Sequence, residues 1–198
     1  MLTGDNAAQS PAFQTTKLTT LFDIVTFLNA FIKSGKLMKA FKLRSMTAEE
    51  FLKRYAAGER DFRDLDLQGI CVQDKRLSGL ILSGANLRKA DFADSVFTKS
   101  DLSGANLRYA RLSEACFMEA SLEAADLRNV NFLQTLFYKT NLKGANFSNT
   151  LLEETGFNGS NLSHTNFSGA LKFDLPRCKK AIFYETILPD GTIRTDNS

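Results

Sequence analysis

The chain has 198 residues, a hydrophobic content of 43% and a formal net charge of +3, which are ordinary values for one soluble domain with terminal extensions. Three cysteines without CxxC spacing and a single histidine argue against a disulfide framework and against a zinc site. We therefore expect a cytoplasmic protein with reduced thiols, no metal and no cofactor.

The first 45 residues carry an amphipathic pattern. We predict a flexible N-terminus at 1–16 and an amphipathic helical extension at 17–45, which is too short to span a bilayer. Its apolar residues follow helical spacing: Leu18, Leu21, Phe22, Val25, Leu28 and Ile32. Three interpretations stay open: the helix packs on the rest of the chain, mediates self-association, or lies on an anionic membrane surface through the basic residues at 36–44.

A short helix is predicted next, in a cap segment at 46–59. Thr47 and Glu50 have the spacing of a capping box, Phe51 begins an apolar stripe, and Gly58 is suited to end a helix. Because repeat arrays need covers at their ends, we expect this helix to close the start of the array that follows.

Every fifth residue from Phe62 to Phe167 is a large aliphatic or aromatic side chain. A period of five fits neither a helix nor an ordinary strand, and it indicates a structural repeat. Two positions before these centres the residue is small along most of the series, as at Ala85 and Ala105, and the position between is often Asn or Asp.

A second period of 20 residues is superimposed on the first. The segment Leu-Ser-Gly-Ala-Asn-Leu-Arg at 82–88 recurs at 102–108, with variants at 122–128 and 142–148. Four five-residue units therefore make one coil, and five coils span about 25 Å. We expect the centres and the small residues to point inward and to sort by side, with one stack of leucines and one of phenylalanines.

These units closely resemble the pentapeptide-repeat family, whose repeat is written A(D/N)LXX, over residues 60–170. The cap helix and the Thr-Ile-Leu-Pro-Asp-Gly ending look like those of its cyanobacterial members. The resemblance implies an all-β solenoid, a right-handed quadrilateral β-helix, here with an N-terminal helical extension and cap. It also implies regulation by protein contact.

The period breaks at Lys172 and resumes at Ala181, shifted by one residue. We therefore predict a C-terminal cap with out-of-phase repeats at 171–190 and a disordered tail at 191–198.

One side of the predicted coil carries apolar residues at outward positions, where a solvated surface should be polar. This apolar strip consists of Val96, Cys116, Met118, Leu133, Leu136 and Tyr138. Either the N-terminal helix covers it, or it binds a partner protein or a second copy of the chain. Beside it runs an acidic column of Asp74, Asp94, Glu114 and Glu154.

Another side carries an arginine column, in which Arg88, Arg108 and Arg128 stand one coil apart. Like charges about 5 Å apart repel by only about 1 kcal/mol in water, so a solvated column is tolerable. The column is either such a solvated face or a site for a carboxylate or phosphate on a partner.

Enzyme motifs are absent from the sequence, which has no glycine-rich phosphate loop and no nucleophile with a histidine partner. The leading hypothesis is a non-catalytic scaffold or regulatory adaptor that binds a partner protein through a solenoid side. Some pentapeptide-repeat proteins protect DNA gyrase by imitating DNA, which needs a strongly acidic surface, but residues 59–170 carry twelve Lys/Arg and fourteen Asp/Glu. A DNA mimic is therefore an alternative, as is a peripheral membrane adaptor acting through residues 17–44. We expect no specific binding of nucleic acid.

Overall fold

The computed structural model describes residues 46–197, so the predicted flexible N-terminus and amphipathic extension lie outside the described residues. Helix α1 (Ala48–Ala56) comes first, and a 3-10 helix (Leu175–Arg177), strand β1 (Ile182–Ile187) and strand β2 (Ile193–Asn197) come last. Between them the backbone forms single parallel bridges spaced five residues apart.

These bridges join residues that lie 20 apart in the sequence, from the pair Asp61 and Ile81 to the pair Leu151 and Leu171. The backbone N–H of Phe62 donates to the carbonyl of Ile81 over 2.8 Å, and the pattern repeats along the solenoid. Four bridges complete one coil, and each coil adds a parallel layer to the one below. The predicted four-sided solenoid is confirmed.

The centres of the five-residue units form the core. All of them, from Phe62 to Phe167, are buried, as predicted. One side of the core is a stack of nearly parallel rings with centroids 5.1–5.2 Å apart: Phe97, Phe117, Phe137 and Phe157. Burial of such side chains contributes about 1.5–3 kcal/mol each before the entropy cost, so the outward residues stand on a rigid support.

The coil corners share one backbone conformation. At every corner from Asp64 to Gly169, the second residue after the centre has a positive φ. Glycine adopts this conformation at no steric cost, and the predicted placement of Gly84, Gly104 and Gly144 at corners is confirmed by φ values of 66–69°. Charged and amide residues occupy most other corners, so the corners present polar side chains to solvent.

Buried hydroxyl groups join neighbouring coils. The Oγ of Ser100 accepts a hydrogen bond from the N–H of Leu80 and donates one to the carbonyl of Leu77, each over 3.1 Å. The hydroxyl is thereby inserted into the turn of the coil below. In an equivalent turn without an inserted hydroxyl, the N–H of Ala85 bonds directly to the carbonyl of Leu82 over 3.0 Å. Each buried polar group is therefore satisfied in either arrangement.

Helix α1 covers the first coil, as predicted for the cap segment. The Oγ1 of Thr47 accepts from the N–H of Glu50 over 3.2 Å, which confirms Thr47 as the N-cap. Gly58 has a φ of 95°, and the hydrogen bonds that close the helix have the pattern of a Schellman motif. The ring of Phe51 lies 4.7 Å from that of Phe62, and both are buried.

The solenoid continues past the break at Lys172 with a register shift of one residue. Asn161 forms its bridge with Ile182, which is 21 rather than 20 residues later. Ala181 and Phe183 are buried at the corresponding inward positions. The predicted out-of-phase repeats are confirmed.

The predicted disordered tail at 191–198 is wrong for the strand β2. This strand pairs antiparallel with β1, placing Ile193 opposite Ile187 and Arg194 opposite Thr186. The other edge of β1 already bridges the coil below, so β2 covers the edge that would otherwise stay open. The tail is polar, but the free edge of β1 and the β-branched residues Ile193 and Thr195 favour a strand over disorder.

Candidate protein-binding surfaces

The backbone ladder aligns the apolar strip. Parallel bridges join Val96 to Cys116 and Cys116 to Leu136, which places these outward residues in one column. Met118 and Tyr138 lie two residues further along the same side of successive coils, and Leu133 lies just before the corner that leads to Leu136. The structure therefore brings five of the predicted residues onto one side, and Leu133 onto the adjoining end of the neighbouring side.

The strip is open to solvent in its middle. Leu136 is 50% exposed, Tyr138 42% and Met118 37%, whereas Val96, Cys116 and Leu133 are half-buried. The next residue in the Leu136 column is Gly156, which has no side chain to cover it. Within residues 46–197, three large apolar side chains thus remain uncovered at neighbouring positions, a feature typical of binding surfaces.

Polar corners border the strip on both sides. The acidic column lies along one corner, where Gln134 interrupts it and donates to Glu154 over 2.8 Å. Along the other corner, Lys99 pairs with Glu119 over 3.8 Å, and the Nζ of Lys139 lies 5.3 Å from the centroid of Tyr138. An apolar centre with a charged rim is the usual arrangement of a protein interface.

The arginine column lies half a coil away from the strip, and its three members differ. Arg128 forms a two-pronged pair with Asp126, from Nε over 2.8 Å and from Nη2 over 2.6 Å. The hydrogen bond from this guanidinium lowers the pKa of Asp126, and the carboxylate in turn raises the pKa of Arg128. Arg63 pairs in the same way with Asp61. An Asp two residues before an Arg therefore neutralises it.

Arg88 and Arg108 have no such partner. Asn86 and Asn106 stand where Asp126 stands in the paired unit, and within residues 46–197 neither arginine forms an ion pair. Both guanidinium groups lie over the ring of Tyr109, at 5.2 and 5.5 Å from its centroid. Moreover, the Nε of Arg108 is buried without a hydrogen-bond partner in the described structure.

Sequence analysis did not identify Tyr109 as part of this surface. The residue occupies a coil corner with a φ of 61° and is 42% exposed. Bulky side chains are uncommon in that conformation. The equivalent corners of the other coils carry Lys, Asn or Gly, so an aromatic residue at this corner could have marked the site.

Neither a cluster of potential metal ligands nor a membrane-spanning helix occurs within residues 46–197. No group of three or more His, Cys, Asp or Glu side chains is placed to hold a metal ion among residues 46–197. His164 stands at a coil corner, as predicted, with its Nδ1 3.3 Å from a carboxylate oxygen of Glu185. Over the same residues no helix is both long and apolar enough to cross a bilayer.

Comparison with protein families identifies the repeats. A model of the pentapeptide repeat region matches residues 71–147, and a model of eight pentapeptide repeat copies matches residues 141–171. Together the two matches cover just over half of the chain. A search of curated proteins finds no match.

Solved structures of pentapeptide repeat proteins resemble the chain. HetL, a protein involved in heterocyst differentiation regulation in the cyanobacterium Nostoc, is 21% identical, with a TM-score of 0.57 over 75% of this chain and 100% of HetL. A protein of the Arabidopsis thaliana thylakoid lumen is 29% identical, with a TM-score of 0.53 over 62% of this chain and 84% of its own. Another Nostoc protein is 24% identical over 67% of this chain and 93% of its own, with a TM-score of 0.32.

Proposed function

Because this chain belongs to the pentapeptide-repeat family, whose members present side chains on a solenoid wall, we propose that it is a non-catalytic scaffold that binds a partner protein through the apolar strip. HetL is involved in regulating heterocyst differentiation, and by analogy of fold we extend the proposal to a regulatory adaptor.

The observation that carries the proposal is the exposure of Leu136, Tyr138 and Met118 at neighbouring positions. Covering them would remove apolar surface from water at about 25 cal/mol per Å². Tyr138 combines a large apolar ring with a hydroxyl group, a combination enriched in the centres of interfaces. The rigid core below limits the conformational entropy that this surface would lose on binding.

Site-specific photo-crosslinking in the cell of origin tests the proposal. A benzophenone amino acid replaces Met118 in the full chain, and a matched variant carries it at Lys143, an exposed outward position on another side. We expect a defined crosslinked partner from position 118 and none from position 143. A crosslink to a second copy of the chain would show that the partner is another copy and that the strip forms a homodimer.

A second variant separates binding from folding. Leu136→Lys introduces a charge at an exposed position, so we expect the melting temperature to stay within a few degrees and the crosslink from position 118 to be lost. An undiminished crosslink in Leu136→Lys, or equal products from positions 118 and 143, would refute binding through the apolar strip.

A further inference from the structure

A second surface lies on the side of the solenoid opposite the apolar strip. The centre of the Asn106-Leu107-Arg108 unit precedes Phe117, the core residue behind the strip, by ten residues, which is half a coil. The surface is built from two consecutive coils, which supply Arg88 and Arg108, with Tyr109 at the corner. It shares no residue with the strip, so each surface can be tested without the other.

From this geometry we propose that Arg88 and Arg108 form a binding site for an oxyanion, a phosphate or a carboxylate, carried by a partner polypeptide. A guanidinium group presents its N–H donors in a planar fork that matches two oxygens of such a group. Two guanidinium groups on successive coils, whose backbones lie about 4.8 Å apart, can donate to different oxygens of one anion.

Arg88 and Arg108 are available to an anion because Asn, rather than Asp, stands two residues before each of them. Asp126 pairs directly with Arg128 two residues later, whereas the neutral amides of Asn86 and Asn106 give Arg88 and Arg108 no paired carboxylate. Asp126 also attracts Arg108, through the Coulomb interaction alone. The amides are already engaged: the Oδ1 of Asn106 accepts from the N–H of Arg108 over 3.2 Å, and the Nδ2 of Asn86 donates to Asp66 over 2.8 Å. They therefore do not compete for the guanidinium donors.

Tyr109 holds the arginines ready for a ligand. Contact of both guanidinium groups with one ring restricts the rotamers of two long side chains, which reduces the entropy lost on binding. The buried Nε of Arg108 has no hydrogen-bond partner in the described structure, so an anion drawn close to this guanidinium would offset an existing electrostatic cost.

The partner is a polypeptide rather than a nucleic acid or a membrane. A polyanion needs a broad basic surface, but the repeats carry fewer basic than acidic residues, twelve against fourteen at 59–170. In the column that contains Asn86 and Asn106, Asp66 and Asp126 flank this pair on either side and limit the positive potential to about two coils. This area fits one anionic side chain.

Nuclear magnetic resonance of the arginine Nε–Hε groups tests the site in the full-length chain. The probes are three short peptides that differ only at the central residue, which is phosphoserine, glutamate or serine. We expect the phosphoserine or the glutamate peptide to shift the Arg88 and Arg108 signals, and the serine peptide to shift neither. Comparison of the first two peptides identifies which oxyanion the site prefers.

Asn106→Asp provides the sharpest variant because it retains both arginines. The same column accommodates Asp at 66 and 126, so the fold should be unchanged, while the new carboxylate pairs with Arg108 as Asp126 pairs with Arg128. We expect affinity for the anionic peptide to fall at least about tenfold, as it should in Arg88→Gln. The control Arg63→Gln alters an arginine already paired with Asp61 and should leave affinity unchanged.

Three outcomes would overturn the proposal: no shift with either anionic peptide, equal affinity in Asn106→Asp, or an equal loss in Arg63→Gln, which would indicate unspecific attraction. Leu136→Lys distinguishes this proposal from binding through the apolar strip. That variant should retain the peptide shifts, whether or not it loses the protein partner.

Discussion

The guanidinium of Arg194 lies 4.1 Å from the centroid of the Phe183 ring. At the other end of the solenoid, the guanidinium of Arg54 lies 5.2 Å from the centroid of Phe62. Phe62 and Phe183 are the first and last members of one core stack, whose intervening members are leucines. Each arginine also pairs with a nearby carboxylate, Glu59 or Asp196. The stack therefore ends in the same way at both ends.

The C-terminal cover should prevent self-association. Removing residues 191–198 takes away β2 and leaves the outer edge of β1 unpaired, so we expect a lower melting temperature and growth of oligomers in light scattering. Arg194→Ala, which keeps the strand but removes the contact with Phe183, should lower the melting temperature by a few degrees and leave the oligomeric state of the full chain unchanged. If the truncated chain keeps the oligomeric state of the full chain, β2 does not protect the edge.

A charge at a core centre should unfold the chain. Leu107 is fully buried, and Leu107→Asp places an unpaired carboxylate among apolar side chains, at a cost of several kcal/mol. The control Lys89→Asp changes an exposed corner with a φ of 59°, a conformation that Asp tolerates. Thermal unfolding followed by circular dichroism should show a large loss for the first variant only. Similar melting temperatures for both would contradict the inward assignment of Leu107.

An inserted hydroxyl should contribute measurably to stability. In Ser100→Ala the N–H of Leu80 and the carbonyl of Leu77 lose the group that bridges them, so we expect a loss of about 1–3 kcal/mol in urea unfolding. Ser113→Ala removes a hydroxyl from a half-buried outward position and should cost less than about 0.5 kcal/mol. An equally small effect in Ser100→Ala would mean that the turn closes directly once the hydroxyl is gone.

The three thiols should react with alkylating reagents in a fixed order. Cys71 is exposed, Cys116 is half-buried in the apolar strip, and Cys178 is buried. Burial raises the pKa of Cys178 to about 12, so its thiolate is scarce at neutral pH. We expect mass spectrometry to detect modification of Cys71 first, of Cys116 more slowly, and of Cys178 only on unfolding.

The burial of Cys178 also predicts how the stability of the fold depends on pH. Because the pKa of Cys178 is higher in the folded state than in the unfolded state, its contribution to stability is complete below about pH 8.5 and is lost as the pH rises towards 12. Rapid alkylation of Cys178 in the folded protein at pH 8 would contradict its burial.

The charge balance predicts no protection of DNA gyrase. Residues 59–170 carry fourteen Asp/Glu against twelve Lys/Arg, and the acidic column is a single row along one corner that Gln134 interrupts, so we expect no broad acidic face that could imitate DNA. A purified gyrase cleavage assay with a quinolone should show no rescue. Rescue that rises with the amount of this protein would establish the DNA-mimic alternative.

The repeat predicted nearly all of the solenoid because each unit repeats the same local requirement. A large apolar residue every five positions determines which side chains point inward, and the 20-residue period determines which of them stack. Even the shift after Lys172 could be read from the position of Ala181. The strand β2 could not, because it depends on a strand edge that only the finished coil presents.

The surfaces were less predictable than the core. The 20-residue period predicted which outward residues form columns, but it gave no reason to distinguish Arg88 and Arg108 from Arg128. They differ in the residue two positions before the arginine. That residue and the arginine stand on either side of a buried centre, and both point outward, so their side chains can touch. Asp126 therefore reaches Arg128, and Asn106 has no charge to offer Arg108.

The register of the ladder also limits how this chain can change length. Because most bridged residues lie 20 positions apart, the gain or loss of one whole coil keeps every stack continuous, whereas the insertion of a single five-residue unit would move all later side chains to a different side of the solenoid. The shift after Lys172 is accommodated at the last coil, where few layers follow. Evolution can thus lengthen or shorten the solenoid in steps of one coil while α1 and β2 continue to close the ends.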